Sequence, residues 1–384
     1  MREGKRLADA LWLAVILTVG NGCAQAIPRG DSKDLPVFAT FQASGGGRLA
    51  CCAMVDLDSS GQLLLGRVDH PDGRSRAWLA QIGATGHVRW DGEFPLQGRQ
   101  SALAAGVATS DGSVYVVGRA VEGSSGTDRQ GSRLLLAKTR LDGVPQWIRT
   151  LSFGLDTSAE GVIASRSGAL VVTGIVRNAD GRRSVFLASF SRLGDLLWQR
   201  PIIQASDSPD IHIRELEKGG YLVSGSFGLV YLEADGRQRW VHQGVEVVVG
   251  VEEIGGDLYV IGALPGARAR GFELRRLSAD GAVRSKREVL KDLCWVAGAW
   301  TSARLSLIVA GNLCDSDGEL EVLELSDRED RSMARIALAT GASAYRAQRS
   351  RDGHLIAAGM FDQGSTNALR GWFFKSQRRL LDFD

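Results

Sequence analysis

Residues 112–151 read GSVYVVGRAVEGSSGTDRQGSRLLLAKTRLDGVPQWIRTL, and this stretch decides the fold. It contains short apolar runs separated by glycine-rich turns, which predicts three consecutive strands of one antiparallel sheet. Versions of the same arrangement recur from one end of the chain to the other. Internal repetition of this kind is typical of an array of small sheets.

The repeat is marked by a short apolar strand that ends in glycine. Seven copies occur, and their glycines are Gly66, Gly118, Gly174, Gly225, Gly262, Gly311 and Gly359. Successive glycines lie 37 to 56 residues apart, which is room for four short strands with loops of variable length. A turn precedes each marker and a third apolar strand follows it. The pattern predicts an all-β, seven-bladed β-propeller that forms one domain over residues 37–384.

A fourth strand begins with a Gly-x-x-x-Trp motif in four of the copies. The motif places tryptophan at Trp90, Trp147, Trp198 and Trp240. These residues resemble the tryptophan-docked blades of bacterial β-propeller repeat proteins with quinoprotein-like (PQQ-like) blades. The resemblance implies that each indole docks one blade as a structural wedge. It implies an architecture and not a reaction, because propellers with similar blades have unrelated activities.

The ends of the chain complement each other. The seventh copy stops after its third strand, whereas residues 37–42 resemble a fourth strand that precedes the first copy. We therefore expect the N-terminal strand to complete the last blade, which hides sheet edges that would otherwise promote aggregation.

Residues 1–26 have the layout of an export signal. Arg2, Lys5 and Arg6 precede a short apolar run that is too short to span a bilayer. Two processing routes stay open: cleavage after Ala26, which we favour, or lipoprotein processing before Cys23 with acylation of that cysteine. Residues 27–36 form a short linker under either route. We expect an exported protein, periplasmic or extracellular, that touches a membrane only through a lipid on Cys23.

An oxidising compartment favours disulfides. Cys294 begins one predicted strand and Cys314 follows its hairpin partner, so antiparallel pairing brings the two together, and we expect a disulfide between them. Adjacent Cys51 and Cys52 are interpreted as two small buried residues. A vicinal disulfide and a metal site are the alternatives for this pair.

Composition and motifs exclude several classes of function. The formal net charge is only +2, and arginines are interleaved with acidic residues, so we expect no nucleic-acid partner. The five histidines have no metal-ligand spacing, and no nucleophile elbow or phosphate loop occurs. Asp56 opens a calcium-loop-like stretch, but Arg67 occupies its closing acidic position, so a hairpin turn explains it better. We expect no cofactor and no metal.

Propellers bind ligands at the mouth of their central channel, near the first strand of each blade. The candidates there are Asp210, His212, Arg214, Glu252, Glu253, Trp295 and Trp300. Trp295 and Trp300 have opposite parity on one strand, so at least one should pack in the core. We expect a monomeric, non-catalytic module that binds an unidentified protein or glycan. The alternative is a propeller enzyme, either a quinoprotein-like dehydrogenase or a glycan hydrolase or lyase.

Overall fold

The computed structural model describes residues 25–26, 37–41, 47–57, 60–96, 100–121, 131–205, 211–244, 247–264, 271–302, 306–314, 318–326, 329–338, 342–361 and 370–379. These residues form strands and turns without an α-helix, and none of them forms a helix able to cross a membrane. The predicted export signal, apart from Gln25–Ala26, lies outside the described residues, as does the linker.

The described residues contain 29 strands. The first ten are β1 (Gln25–Ala26), β2 (Val37–Phe41), β3 (Arg48–Asp56), β4 (Gln62–Asp69), β5 (Ser75–Ile82), β6 (Val88–Glu93), β7 (Gln100–Ala108), β8 (Val114–Val121), β9 (Arg133–Thr139) and β10 (Pro145–Leu151). The next ten are β11 (Asp156–Ala164), β12 (Leu170–Arg177), β13 (Arg183–Phe190), β14 (Leu196–Gln204), β15 (His212–Glu215), β16 (Tyr221–Gly225), β17 (Gly228–Leu232), β18 (Gln238–His242), β19 (Val248–Ile254) and β20 (Asp257–Ala263). The last nine are β21 (Phe272–Leu277), β22 (Val283–Val289), β23 (Leu293–Thr301), β24 (Leu307–Leu313), β25 (Glu319–Leu325), β26 (Asp330–Ala337), β27 (Ala342–Arg349), β28 (His354–Phe361) and β29 (Arg370–Arg379).

Hydrogen bonding groups these strands into antiparallel meanders. Four sheets contain four consecutive strands each: β11–β14, β15–β18, β19–β22 and β23–β26. A fifth sheet has the order β1-β2-β29-β28-β27. The other eight strands, β3 to β10, form one sheet. All seven predicted markers lie in the second strand of a meander.

The prediction of seven separate blades is wrong in its count, because five sheets stand alone and the first two predicted blades are joined. A parallel contact between Ser75 and Gln100 links β5 to β7. The physical reason is the short fourth strand β6, which ends opposite Trp78 and leaves the start of β5 uncovered. The beginning of β7 occupies that place, and the Ala77 N–H donates to the Ser101 hydroxyl at 2.9 Å.

The sheets are arranged in a ring. The first strands of successive meanders lie side by side: β7 contacts both β3 and β11, and β23 contacts both β19 and β27. Strand β27 also contacts β3, which joins the two ends of the chain. This is a β-propeller arrangement, with the first strands innermost.

The meander topology gives the ring two different faces. Connections from first to second and from third to fourth strands are tight turns, such as 109–113 and 140–144, and they define what we call the turn face. The opposite face carries the second-to-third connections and the crossovers between sheets, and we call it the loop face. Each first strand therefore runs from the loop face to the turn face.

The N-terminal strand pairs with the C-terminal strand. Residues Val37 to Phe41 of β2 lie antiparallel to β29, with Phe41 opposite Gly371. The Phe41 ring stacks on Trp78 of β5, with ring centroids 5.6 Å apart and the planes 12° from parallel. A Cβ atom added to Gly371 would lie 2.2 Å from the Phe41 ring, so only glycine fits beneath it. Phe41 thus connects the last sheet to the first.

The first strands share a β-bulge, which the repeat pattern did not predict. The pairing register shifts at the same place in six of them, with extra residues Cys52, Ala104, Glu160, Val249, Ala297 and Tyr345. Glycine follows the bulge where neighbouring strands approach closely. A Cβ on Gly298 would lie 1.8 Å from the Ala347 carbonyl oxygen, so this glycine permits β23 to contact β27.

Candidate functional site

The structure divides the predicted channel residues between the two faces. His212 and Trp295 lie at the loop-face ends of their strands, whereas Arg214, Glu252, Glu253 and Trp300 lie near the turn face. Asp210 lies outside the described residues. The predicted set is therefore not one site.

Glu252 is the centre of a polar network near the turn face. Its carboxylate is buried, with 6% of the residue exposed, and it forms an ion pair with Arg214 of the preceding sheet. Its other oxygen accepts a hydrogen bond from the Thr301 hydroxyl of the following sheet at 2.7 Å. Arg214 also donates to the Val251 carbonyl at 3.2 Å. The network ties three first strands together.

Carboxylates at the ends of three first strands make a second kind of tie. Asp56 accepts the backbone N–H of Arg351 at 2.8 Å, across the junction between the last and first sheets. Glu215 accepts the N–H of Arg166 at 2.9 Å, and Glu253 accepts that of Glu217 at 2.7 Å. In each case the donor lies in the first turn of the preceding sheet. These carboxylates satisfy turn amides that would otherwise lack a protein partner.

Trp295 and Trp300 have different environments. Trp300 is 8% exposed and packs in the core, as expected of at least one of the two, while Trp295 is 43% exposed. The alternation of side chains along a strand does not alone explain why one tryptophan is buried and the other exposed, because the pairing register shifts on both sides of Val296. Tyr345, the bulge residue of neighbouring strand β27, is 41% exposed and was not predicted as a candidate.

Two links fix the strands that carry these exposed aromatic residues. A disulfide joins Cys294 to Cys314, with the Cα atoms 4.9 Å apart. Asn312, which lies opposite Trp295, donates to the Ala344 carbonyl at 2.9 Å and accepts the Ala344 N–H at 3.0 Å. The Asn312 side chain therefore makes the two hydrogen bonds that a paired strand would make, and it joins the sheet of β24 to the sheet of β27.

Cys51 is also disulfide-bonded, and its partner lies outside the described side chains. The favoured interpretation of Cys51 as a small buried residue outside any disulfide is therefore wrong. No group of three or more His, Cys, Asp and Glu side chains suited to a metal ion occurs in the part of the chain that the structure describes.

Each motif tryptophan contacts the glycine turn of the next meander. Cβ atoms added to Gly143, Gly194, Gly236 and Gly281 would lie 2.5 to 2.9 Å from the rings of Trp90, Trp147, Trp198 and Trp240, respectively. These glycines have positive φ, between 78° and 87°, so glycine serves both the turn and the close approach. The contact joins the outer strand of one meander to the turn face of its neighbour.

Two turn carboxylates on this face have lowered pKa values. The Thr109 hydroxyl and the Ser113 N–H lower the pKa of Asp111 to about 2. Burial raises the pKa of Asp352, but hydrogen bonds from Lys375 and Ser350 outweigh it and bring the value to about 2. Asp111 borders an open depression of about 420 Å³, lined also by Ser113, Arg140 and Gln146.

The sequence matches no protein-family model, and no curated protein is similar to it. Solved structures do match. A polysaccharide lyase, Uly1, is 12% identical with a TM-score of 0.54, and the match covers 93% of this chain and 94% of that one. Puromycin hydrolase, as its S511A mutant complexed with PGG, is 14% identical with a TM-score of 0.51, over 89% of this chain. This chain spans only 58% of the hydrolase chain.

The soluble aldose sugar dehydrogenase of Escherichia coli, in its apo form, matches 66% of this chain at 12% identity with a TM-score of 0.43. Likeness at these identities shows the propeller fold alone. The predicted membership among tryptophan-docked, PQQ-like repeat proteins is not confirmed.

Proposed function

We propose that this chain is an exported, non-catalytic propeller that acts as a binding or scaffold module for a protein or glycan. The observation that carries the proposal is the use of the inner carboxylates. Glu252 is held by Arg214 and Thr301, and Asp56, Glu215 and Glu253 accept turn amides of neighbouring sheets. Groups that general acid–base chemistry would need are thus engaged in holding the ring together.

Cross-linking in the cell envelope followed by affinity capture tests this function. We expect one partner, protein or glycan, that is recovered from cells expressing the folded chain and is absent from cells expressing an unrelated exported propeller. A quinone-dependent dye reduction after addition of quinone and calcium, or release of sugars from a glycan, would contradict the proposal and favour the enzymatic alternative.

We also propose that the eight-stranded sheet works as two blades, so that the ring has seven repeat units. A hydrophobic cluster lies between its halves: Val55 and Leu65 of the first half pack with Val114 and Val116 of the second. One parallel contact at Ser75 is the strand pairing between them. An experimental structure in which the halves lie side by side as one continuous flat sheet would contradict this count.

Export itself is a further part of the proposal, with cleavage after Ala26 favoured over acylation of Cys23. Mass spectrometry of the mature N-terminus tests it. A chain that begins at Ile27 supports simple secretion, and a diacylglyceryl group on Cys23 supports the lipid anchor. A mature protein that retains residues 1–26 contradicts both routes.

A further inference from the structure

Two large aromatic side chains are exposed where the inner wall of the ring meets the loop face. Trp295 is the third residue of β23, and Tyr345 is the fourth residue of β27. They are 43% and 41% exposed, respectively. Exposed apolar surface on an inner strand is unfavourable unless something covers it. Most other exposed large apolar side chains of the described residues lie near the turn face, including Leu193, Leu196 and Leu197.

The two aromatic residues are held on a rigid base. The Cys294–Cys314 disulfide fixes the residue next to Trp295, and the Asn312 amide joins the strand opposite Trp295 to the residue next to Tyr345. Further along, Gly298 brings β23 against β27. A surface that is fixed before binding loses little conformational entropy when a ligand arrives.

The surroundings of these rings suit a sugar better than a protein. A protein interface places its aromatic anchors within a well-packed apolar centre. Here the adjacent positions of β27 are polar: Ser343 is exposed and Arg346 is half-buried. The negative face of an aromatic ring attracts the C–H groups of a pyranose, while polar neighbours can bond its hydroxyls.

Two arginines lie on the inner strands beside the aromatic pair. Arg346 follows Tyr345 directly, and Arg48 begins the adjacent first strand β3. Arg346 forms no ion pair or hydrogen bond with another residue in the described ranges, whereas Arg48 lies opposite Asp69 and interacts electrostatically with its carboxylate. A guanidinium without a carboxylate partner, such as that of Arg346, favours carboxylate or sulfate groups on a ligand.

We infer that Trp295 and Tyr345 form a stacking platform for an acidic glycan at the loop-face mouth of the channel, with Arg346 as its cationic partner. This inference rests on the proposed binding function and names the class of ligand. The sugar rings lie on the two aromatic faces, and the acidic groups lie toward Arg346.

Oligosaccharides of alginate and polygalacturonate test the platform, with xylan oligosaccharides as neutral probes. We expect the acidic probes to bind and to change tryptophan fluorescence, more weakly at high salt. Trp295→Ala and Tyr345→Ala should each weaken binding about tenfold, and Tyr345→Phe should retain it because the ring remains. Arg346→Gln should weaken binding of the acidic probes and reduce its salt dependence.

Leu193→Ala is the matched control, because Leu193 is 70% exposed and lies at the turn face. It should bind as the native chain does, and the melting temperature of each variant, measured beside it, shows whether that variant is folded. Native affinity in folded Trp295→Ala and Tyr345→Ala chains overturns the platform but leaves the binding function standing. Capture of a protein partner without any glycan binding overturns the ligand class alone, and absence of any partner overturns both.

Discussion

Among the motif tryptophans, Trp147 differs from Trp90 and Trp240 in one hydrogen bond. The Trp90 and Trp240 indoles donate to carbonyls two residues before the docking glycine, Leu141 at 3.2 Å and Ala279 at 3.3 Å. The equivalent carbonyl of Arg192 instead accepts the Tyr115 hydroxyl at 3.4 Å. The Trp147 indole N–H is buried and has no partner among the described residues.

Tyr115→Phe should therefore be nearly neutral. Removing the hydroxyl frees the Arg192 carbonyl for the Trp147 indole, so one hydrogen bond replaces another, and we expect a loss within about 0.5 kcal/mol. Tyr231→Phe is the control, because it removes a bond to the Gly219 carbonyl while Trp240 already has its acceptor. Its expected cost is about 1 kcal/mol. Urea denaturation compares the two, and an equal or larger loss in Tyr115→Phe contradicts the competition.

Asp352 gives stability a dependence on pH. Its pKa in the folded chain is about 2, below the ordinary 3.8, so the folded state binds the proton less readily. The stabilisation is present above the ordinary value and is lost as the pH falls through about 2. Asp352→Asn should be less stable than the native chain at neutral pH, and the difference should vanish in acid. Urea denaturation at several pH values measures this; a constant difference would refute it.

The partners of the inner carboxylates could not be predicted from the sequence. Glu252 and Arg214 were predicted as mouth residues, but their ion pair joins strands of different sheets and lies near the turn face. The acceptor role of Asp56 depends on Arg351, which is 295 residues away in the chain. Such partners are set by the closing of the ring, and residue type and local spacing do not contain that information.

At the scale of strands and turns, each turn that a motif tryptophan contacts needs its glycine for two reasons. The backbone has a positive φ there, and a side chain would collide with the indole. Gly194→Ala adds a Cβ 2.9 Å from Trp147 at a φ of +87°. Gly181→Ala has a similar φ of +82°, but no atom lies within 4 Å of the added Cβ. Both variants carry the strain of a left-handed alanine, and only the first displaces the indole.

We expect Gly194→Ala to lose about 1–2 kcal/mol more than Gly181→Ala in urea denaturation. Equal losses would show that the glycine is needed for the turn alone and that Trp147 does not dock there.

Element positions were more predictable than element pairing. The markers fall in second strands because apolar periodicity and glycine turns are local signals. The bulges are not visible in the sequence, since Ala104 and Val249 are ordinary strand residues and the register shift arises from pairing. Tyr345 was missed for this reason: its exposure follows from a bulge that only the paired strands reveal.

At the scale of the whole molecule, closure depends on Phe41. This residue is 5% exposed and packs in a cluster that includes Phe373 of the last sheet and Leu64 of the first. Phe41→Ala should cost about 3–5 kcal/mol, as large-to-small changes in cores do. Thr40→Ala on the same strand is the control and should cost much less. Thermal denaturation that gives the same melting temperature for both variants would show that the N-terminal strand is not part of the core.

The ring could be predicted from the repeats, but the separation of its sheets could not. Seven markers and a spare N-terminal strand predicted the propeller and the pairing partner of β29. The join between β5 and β7 depends on the length of β6, which ends at Glu93, two residues before Pro95; the proline marks the end of the strand but does not show that β7 pairs in its place. Blade count is thus sensitive to the end of a single strand.

Hydrogen exchange at residues 37–41 tests the closed ring most directly. Chain ends normally fray and exchange within the earliest labelling times. Closure of the ring by β2 predicts that the amides of this strand bonded to β29 are protected as strongly as those of β28, and that they open together with the rest of the ring. Rapid exchange at 37–41 beside a protected β28 would contradict it.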